Sequence, residues 1–314
     1  MPTPLTRPLT VISGIAAALV LAGCSSSSGS GSGSDKGDTA ADSDSGKISV
    51  VASTNVWGDI ARQIGGDKVS VTSIISDPDQ DPHSYEASTR NQLALSKAEI
   101  VIENGGGYDD FVKRMAKKNT SAERIDTVDV SGHQAPADGG ELNEHVWYDL
   151  PTVEKVADRI ADGLAKASPD DAATFKKNAE SYRTKLKPLE KKETALKKSH
   201  SGDGIAITEP VPLYMTDASG LTNKTPEEFS EAIEEGDDVS PKVLRATLGL
   251  FSGHQVKALV YNEQTSGAET EKVKAAAKKA GVPVVPVTET LPKGKTYLSW
   301  MSGNLDALSA AVDK

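Results

Sequence analysis

The sequence is poor in cysteine, in aromatic side chains and in positive charge. Its 314 residues include one Cys, 4% Phe, Trp and Tyr together, and a formal net charge of −10. A single cysteine excludes a disulfide within the chain, so the fold depends on its core alone. The acidic balance argues against nucleic acid or an anionic membrane surface as a partner. The sequence also has no phosphate-binding loop, no His-Glu-x-x-His motif and no serine nucleophile elbow, which argues against an ATPase, a zinc protease and a serine hydrolase.

The N-terminus carries an apolar run that is too short to span a membrane. Arg7 precedes this run, which extends from Val11 to Ala22, whereas a spanning helix needs roughly 20 apolar residues. A basic end, a short apolar segment and then small residues predict a secretory signal. The sequence Leu-Ala-Gly-Cys, which ends at Cys24, resembles a bacterial lipobox. This resemblance implies that residues 1–23 are a lipoprotein signal peptide and that Cys24 becomes acylated.

Residues 24–46 have the composition of a tether. They consist mainly of Ser, Gly and Asp, and such a segment cannot bury enough apolar surface to fold. A flexible linker of about 22 residues has a root-mean-square reach of about 26 Å. We therefore expect the protein to stay at the extracytoplasmic face of the bacterial cell membrane, with membrane contact through the lipid anchor only.

Strand and helix patterns alternate on both sides of a helical middle. β-Rich runs occupy residues 47–52, 68–75, 99–103, 204–208, 257–261 and 282–287. Strands separated by helical segments predict parallel sheets. Residues 151–199 contain helix formers and no strand signal, with a long helix beginning at Ser168-Pro169. We expect Pro188 to bend this helix or end it early.

These patterns predict an α/β fold of two similar βα lobes with parallel sheets. The N-terminal lobe covers residues 47–150, the C-terminal lobe covers residues 201–314, and one long spine helix within residues 151–200 joins them. Ligands of such folds bind in the crevice at the carboxyl ends of the strands. We therefore expect a binding site in the cleft between the lobes.

Four side chains with the chemistry of metal ligands lie just after predicted strands or at a lobe boundary. His83 follows the second strand, and His145 closes the first lobe. Glu209 and Glu289 directly follow two strands of the second lobe. Two imidazoles and two carboxylates that converge in a cleft can bind a divalent transition metal. The sequence therefore predicts a metal site.

Two histidine motifs carry a resemblance to a known family. DPHSYEAS (81–88) and NEHVWYD (143–149) resemble motifs of the cluster A-I metal-binding lipoproteins, the substrate-binding components of manganese and zinc ABC importers. The resemblance extends from about residue 47 to the C-terminus. It implies two α/β lobes bridged by one long helix with a metal ion buried between them, and it implies that His83 and His145 are the ligands from the first lobe.

The same resemblance implies two ligands from the second lobe. Glu209 lies where the family has Glu or His. The family's last ligand is normally Asp, and the matching position here is Glu289, with three nearby acids as alternatives: Asp217, Glu263 and Glu271. NEHVWYD also lacks the Asp-Pro that commonly precedes the second histidine. We expect this departure to affect the loop more than the ligand.

The resemblance implies a binding protein and not an enzyme. Such a protein, which we expect to be a monomer, carries one divalent ion as cargo to a membrane permease that is driven by a separate cytoplasmic ATPase. Two carboxylates, each able to bind through both oxygens, favour manganese, with zinc next. Tyr85 or Glu86 is expected to accept a hydrogen bond from a ligating imidazole. A surface adhesin and a secreted metallohydrolase are the alternatives.

Overall fold

The structure, a computed structural model, describes residues 46–77, 85, 88–117, 119, 121–137 and 140–314. The predicted signal peptide, Cys24 and nearly all of the linker lie outside the described residues, as do His83 and Glu86. Within the described ranges, no helix is both long enough and apolar enough to cross a membrane.

Four parallel strands form the sheet of the N-terminal half: β1 (Ile48–Thr54), β2 (Val69–Ile75), β3 (Ile100–Glu103) and β4 (Glu123–Asp126). Their order across the sheet is β2-β1-β3-β4. The strands are followed in turn by α1 (Asn55–Gly65), α2 (Thr89–Lys97), α3 (Asp110–Ala116) and α4 (Thr127–Ser131). The first three strands agree with the predicted β-rich runs. The pattern of β4, ERID, does not predict a strand because it is mostly charged.

Two helices occupy the middle of the chain, α5 (Leu150–Ala167) and α6 (Ala172–His200). The carboxylate of Asp149 caps the first turn of α5 by accepting a hydrogen bond from the backbone N–H of Thr152. α6 has 29 residues and is therefore about 43 Å long. It continues through Pro188, so of the two expected effects, a bend or an early end, the early end is wrong. Because Leu186 and Leu189 are buried on either side of the exposed proline, packing outweighs the lost hydrogen bond.

The C-terminal half repeats the sheet of the N-terminal half. Its parallel strands are β5 (Gly204–Ile207), β6 (Thr222–Asn223), β7 (Ala258–Asn262) and β8 (Val284–Val287), in the order β6-β5-β7-β8. The helices are α7 (Leu213–Ala218), α8 (Glu227–Glu234), α9 (Pro241–Ser252), α10 (Ala268–Lys279) and α11 (Tyr297–Val312). The predicted α/β class, with two parallel sheets and a long helix, is confirmed.

One apolar cluster connects the two halves. It extends from β1 through α5 and α6 to β5, β7 and α11, with Val50, Leu186 and Val260 as examples of its fully buried members. Separate smaller clusters cover the other face of each sheet. Because both halves share one core, moving one half against the other would expose apolar surface. We therefore expect any relative movement of the halves to be small.

Candidate metal centre

The carboxyl ends of the C-terminal strands bring three polar side chains to one edge of their sheet. Glu209 lies two residues after β5, Asn262 is the last residue of β7, and Glu289 lies two residues after β8. Parallel strands end at a common edge, so these residues meet although they are far apart in the sequence. Each is at most 2% exposed. The edge therefore presents two buried carboxylates and one buried amide.

Asn262 joins the two carboxylates. Its side-chain amide donates to Oε2 of Glu209 and, at 2.8 Å, to Oε1 of Glu289. Gln264 holds the second carboxylate from behind, since its Oε1 accepts from the backbone N–H of Glu289 at 2.6 Å and of Thr290 at 3.0 Å. Neighbouring carboxylates repel each other, and a shared donor offsets part of that repulsion. Asn262 thus holds both carboxylates in a fixed orientation.

His145 reaches the same point from the N-terminal half. It directly precedes a 3₁₀ turn and is fully buried. Its Nε2 lies 3.3 Å from Oε1 of Glu234 and 4.0 Å from Oε2 of Glu289. Its other ring nitrogen, Nδ1, lies 2.7 Å from Oδ1 of Asn143. The imidazole therefore presents Nε2 to carboxylates that belong to the C-terminal half.

Aromatic side chains form a wall behind this imidazole. The rings of Trp147 and Tyr108 have their centroids 5.0 and 6.0 Å from that of His145. The hydroxyl of Tyr108 also donates to Oε2 of Glu289 at 3.2 Å, and burial together with that carboxylate holds the pKa of Tyr108 well above its usual value. Nearby, Asn104 accepts a hydrogen bond from Nε1 of Trp57 on α1 at 3.1 Å and donates to the carbonyl oxygen of Glu144 at 2.9 Å. The packed rings of Tyr108 and Trp147 thus close the site on the side of the N-terminal half.

Glu234, the last residue of α8, is one of several site residues that the sequence did not predict. Together with Glu144 and His145 it forms a group whose potential ligand atoms all lie within 4.8 Å of one another. Burial, followed by the nearby carboxylates, raises the pKa of Glu234 to about 10, and burial raises that of Glu144 to about 7. Glu234 follows the buried Ser230 by four residues and so shares its helix face, but this burial is visible only in the structure.

A cavity connects this group to the surface. It has a volume of about 250 Å³, and its lining includes Asn143, Glu144, Pro210 and Glu234. A second cavity of about 590 Å³ shares part of this lining, and its acids are Glu141, Glu227, Glu228, Glu231, Glu235 and Asp237. Five of these six acids lie within residues 227–237, and folding brings Glu141 of the N-terminal half beside them.

The structure places the predicted site residues as follows. His145, Glu209 and Glu289 come together, whereas His83 and Glu86 lie outside the described residues. Tyr85 packs against Phe111 with ring centroids 5.0 Å apart and accepts a hydrogen bond from Asn91. The three alternatives to Glu289 are exposed residues: Asp217, Glu263 and Glu271. A divalent transition metal fits the residues that do meet, since imidazole nitrogen and carboxylate oxygen are its usual ligands.

Comparison with known families agrees with this chemistry. The family model described as "ZnuA: Zinc-uptake complex component A periplasmic" matches residues 50–311. The chain belongs to this family. It is therefore a metal-binding solute-binding protein of an ABC importer and not an enzyme. The resemblance inferred from the two histidine motifs is confirmed.

Two relatives and one solved structure illustrate the range of the family. The "Manganese ABC transporter substrate-binding lipoprotein scaA" of Streptococcus gordonii is 27% identical over 297 residues, covering 88% of this chain and 92% of that protein. The "Iron ABC transporter substrate-binding lipoprotein MtsA" of Streptococcus pyogenes serotype M1 is 24% identical over 326 residues, covering 98% and 99%. The Mn-bound periplasmic metal binding protein from Candidatus Liberibacter asiaticus shares the fold, with a TM-score of 0.68 at 20% identity, covering 85% of this chain and 100% of that one.

Proposed function

We propose that this chain is an extracytoplasmic lipoprotein that captures one divalent transition-metal ion, manganese in preference to zinc, and delivers it to an ABC permease. The observation that carries the proposal is the position of His145 Nε2, which lies 3.3 and 4.0 Å from two carboxylates of the C-terminal half. An imidazole nitrogen and buried carboxylates that share one point form a strong site for a divalent cation. Such a cation also offsets the mutual repulsion of the carboxylates.

The proposed ligands are His145, Glu209 and Glu289. His83, outside the described residues, is proposed to supply a second imidazole. Glu209 and Glu289 are held by one amide, that of Asn262, so their oxygens are oriented before the ion arrives. Glu234 is close enough to His145 to add a further oxygen.

The preference for manganese follows from the ligand types. Manganese accepts more oxygen ligands and higher coordination numbers than zinc, which favours four ligands and nitrogen or sulfur donors. Three carboxylates around one described imidazole supply an oxygen-rich site. The Irving–Williams order still gives zinc the higher intrinsic affinity. We therefore expect zinc to bind tightly but to be released slowly, and manganese to bind and dissociate reversibly.

Delivery is proposed to depend on the anchor and on a local opening of the site. Acylated Cys24 and the linker of residues 24–46 keep the binding protein beside the membrane that holds the permease. The lobes of residues 47–150 and 201–314, with the spine within residues 151–200, share one core. Docking on the permease is therefore expected to loosen the loops around the ion and not to swing the lobes apart.

Titration with each metal ion tests this function. The chain is stripped with a chelator and titrated with Mn²⁺ and Zn²⁺ while Trp147 fluorescence is followed, since this ring lies 5.0 Å from that of His145. We expect one ion per chain, with affinity lowered at least tenfold in Glu289→Gln. Glu193→Gln, which removes a buried carboxylate of α6, is the matched control and should bind as the wild type does. Absence of binding at micromolar ion, or unchanged affinity in Glu289→Gln, would overturn the proposal.

A further inference from the structure

We infer that Asn143 is a positioning residue that uses the two ends of one side-chain amide for two tasks. Its oxygen sets the orientation and tautomer of His145, and its nitrogen ties this histidine to the loop of the other half that carries Glu209. The inference deepens the proposed function and rests on it for the role of the metal. Its structural part, the state of the imidazole, can be tested without any ion.

The orientation of the amide follows from two partners whose roles are not interchangeable. The carbonyl oxygen of Pro210 can only accept, and it lies 3.2 Å from Nδ2 of Asn143. The backbone N–H of His145 can only donate, and it lies 3.1 Å from Oδ1. The amide nitrogen must therefore face Pro210, and the amide oxygen must face His145.

The tautomer of the imidazole then follows. Nδ1 of His145 lies 2.7 Å from the same Oδ1, which can only accept, so Nδ1 must carry the proton. In a neutral imidazole this leaves the lone pair on Nε2, the nitrogen that faces Glu234 and Glu289. Asn143 thus directs Nε2, the proposed metal-binding nitrogen, toward the carboxylates, while Nδ1 donates its proton to the Asn143 oxygen.

The nitrogen end of the amide reaches across to the C-terminal half. Pro210 directly follows Glu209, so the Asn143 bond holds the backbone next to a proposed ligand. The main chain at Asn143 is held by the same half, because the hydroxyl of Tyr214 on α7 donates to its carbonyl oxygen at 2.7 Å. The ring of Tyr214 in turn stacks on His133, with centroids 4.7 Å apart and an interplanar angle of 27°.

The Asn143 side chain therefore couples two proposed ligands, His145 and Glu209. A rotation of the His145 ring shifts Oδ1 of Asn143, and the same rigid amide shifts its bond to Pro210 beside Glu209. A carboxylate at this position could accept from His145 but could not donate to Pro210. An amide is therefore the side chain that fits both partners. Residues that orient a ligating histidine typically change metal affinity by about 10–100-fold when removed.

Three variants separate the two tasks. Asn143→Asp keeps the acceptor and removes the donor, Asn143→Ala removes both, and Tyr214→Phe removes only the hydroxyl that holds the backbone. Asn178→Ala is the matched control, since its amide makes a 2.8 Å hydrogen bond to the carbonyl of Ile64, away from the site. The tautomer of His145 is read from ¹⁵N chemical shifts of the metal-free chain at pH 8. The rate of Mn²⁺ release is measured by chelator competition.

We expect Asn143→Asp to keep the Nδ1–H tautomer but to release Mn²⁺ at least fivefold faster than the wild type. Asn143→Ala should lose the dominance of this tautomer and bind Mn²⁺ about 10–100-fold more weakly. Tyr214→Phe should keep the tautomer and release the ion faster, and Asn178→Ala should change neither property.

An unchanged tautomer and unchanged affinity in Asn143→Ala would overturn the positioning role. Wild-type release from Asn143→Asp would overturn the link to Pro210. If the wild-type chain binds neither Mn²⁺ nor Zn²⁺, the proposed function fails, while the tautomer comparison of the metal-free variants still decides the first task.

Discussion

Replacing Asn262 with alanine should weaken metal binding without unfolding the protein. Its amide donates to both Glu209 and Glu289, and a hydrogen bond to a charged group contributes about 1.5–3 kcal/mol. Part of that loss is recovered when the bound ion itself holds the carboxylates. We therefore expect a net loss of binding free energy of about 1.4–2.7 kcal/mol, which corresponds to a 10–100-fold higher Kd.

Calorimetric titration of the chelator-stripped Asn262→Ala chain with Mn²⁺ measures this effect. Asn119→Ala is the matched control, because its amide also serves two oxygens, the carbonyls of Leu95 and Ala98, at 2.8 and 2.9 Å. That variant should bind within twofold of the wild type. If Asn262→Ala keeps its circular dichroism spectrum and binds Mn²⁺ as tightly as the wild type, the carboxylates do not depend on this amide and the reasoning is refuted.

Three further predictions concern pH and stability. Because the pKa of Glu234 is raised to about 10, a bound ion that contacts this carboxylate must displace a proton. Mn²⁺ affinity should therefore rise up to about tenfold per pH unit between pH 6 and 8. Fluorescence titration measures this dependence of affinity on pH, and an equally steep dependence in Glu234→Gln would contradict the prediction. Burial raises the pKa of Glu193 to about 8, above its unfolded value, so its ionisation destabilises the fold as pH rises. Glu193→Gln should therefore be more stable than the wild type by about 1–2 kcal/mol at pH 9 and by almost nothing at pH 4. If the variant and the wild type melt at the same temperature at pH 9 as well as at pH 4, the prediction is wrong. Pro188→Ala should stabilise α6 by about 1–3 kcal/mol, and a lower melting temperature would show that the proline is needed.

Strand ends made part of the site predictable from the sequence. The β-rich runs before Glu209 and Glu289 predict parallel strands of one sheet, and parallel strands place their carboxyl ends at the same edge. The run KALVY (257–261) predicts β7 equally well, but Asn262, which directly follows this run, is uncharged and carries no metal-ligand signal. Its role appears only when its amide is seen between the two carboxylates.

Packing decided what local patterns could not. Glu234 belongs to a stretch of many acidic residues, and helical spacing alone does not show which of them meets His145 from the other half. The charged strand β4 forms because β3 offers it a partner edge, which outweighs its weak intrinsic preference. Pro188 likewise predicts an interruption from its own chemistry, but the helix is held by neighbours that are distant in the sequence.

Anomalous diffraction from crystals of the Mn²⁺-loaded or Zn²⁺-loaded protein tests the central claim most directly. We expect one anomalous peak per chain, about 2.0–2.1 Å from His145 Nε2 for zinc, with oxygens of Glu209 and Glu289 among the other ligands. A single strong peak elsewhere, with His145 and both carboxylates free of metal, would contradict it.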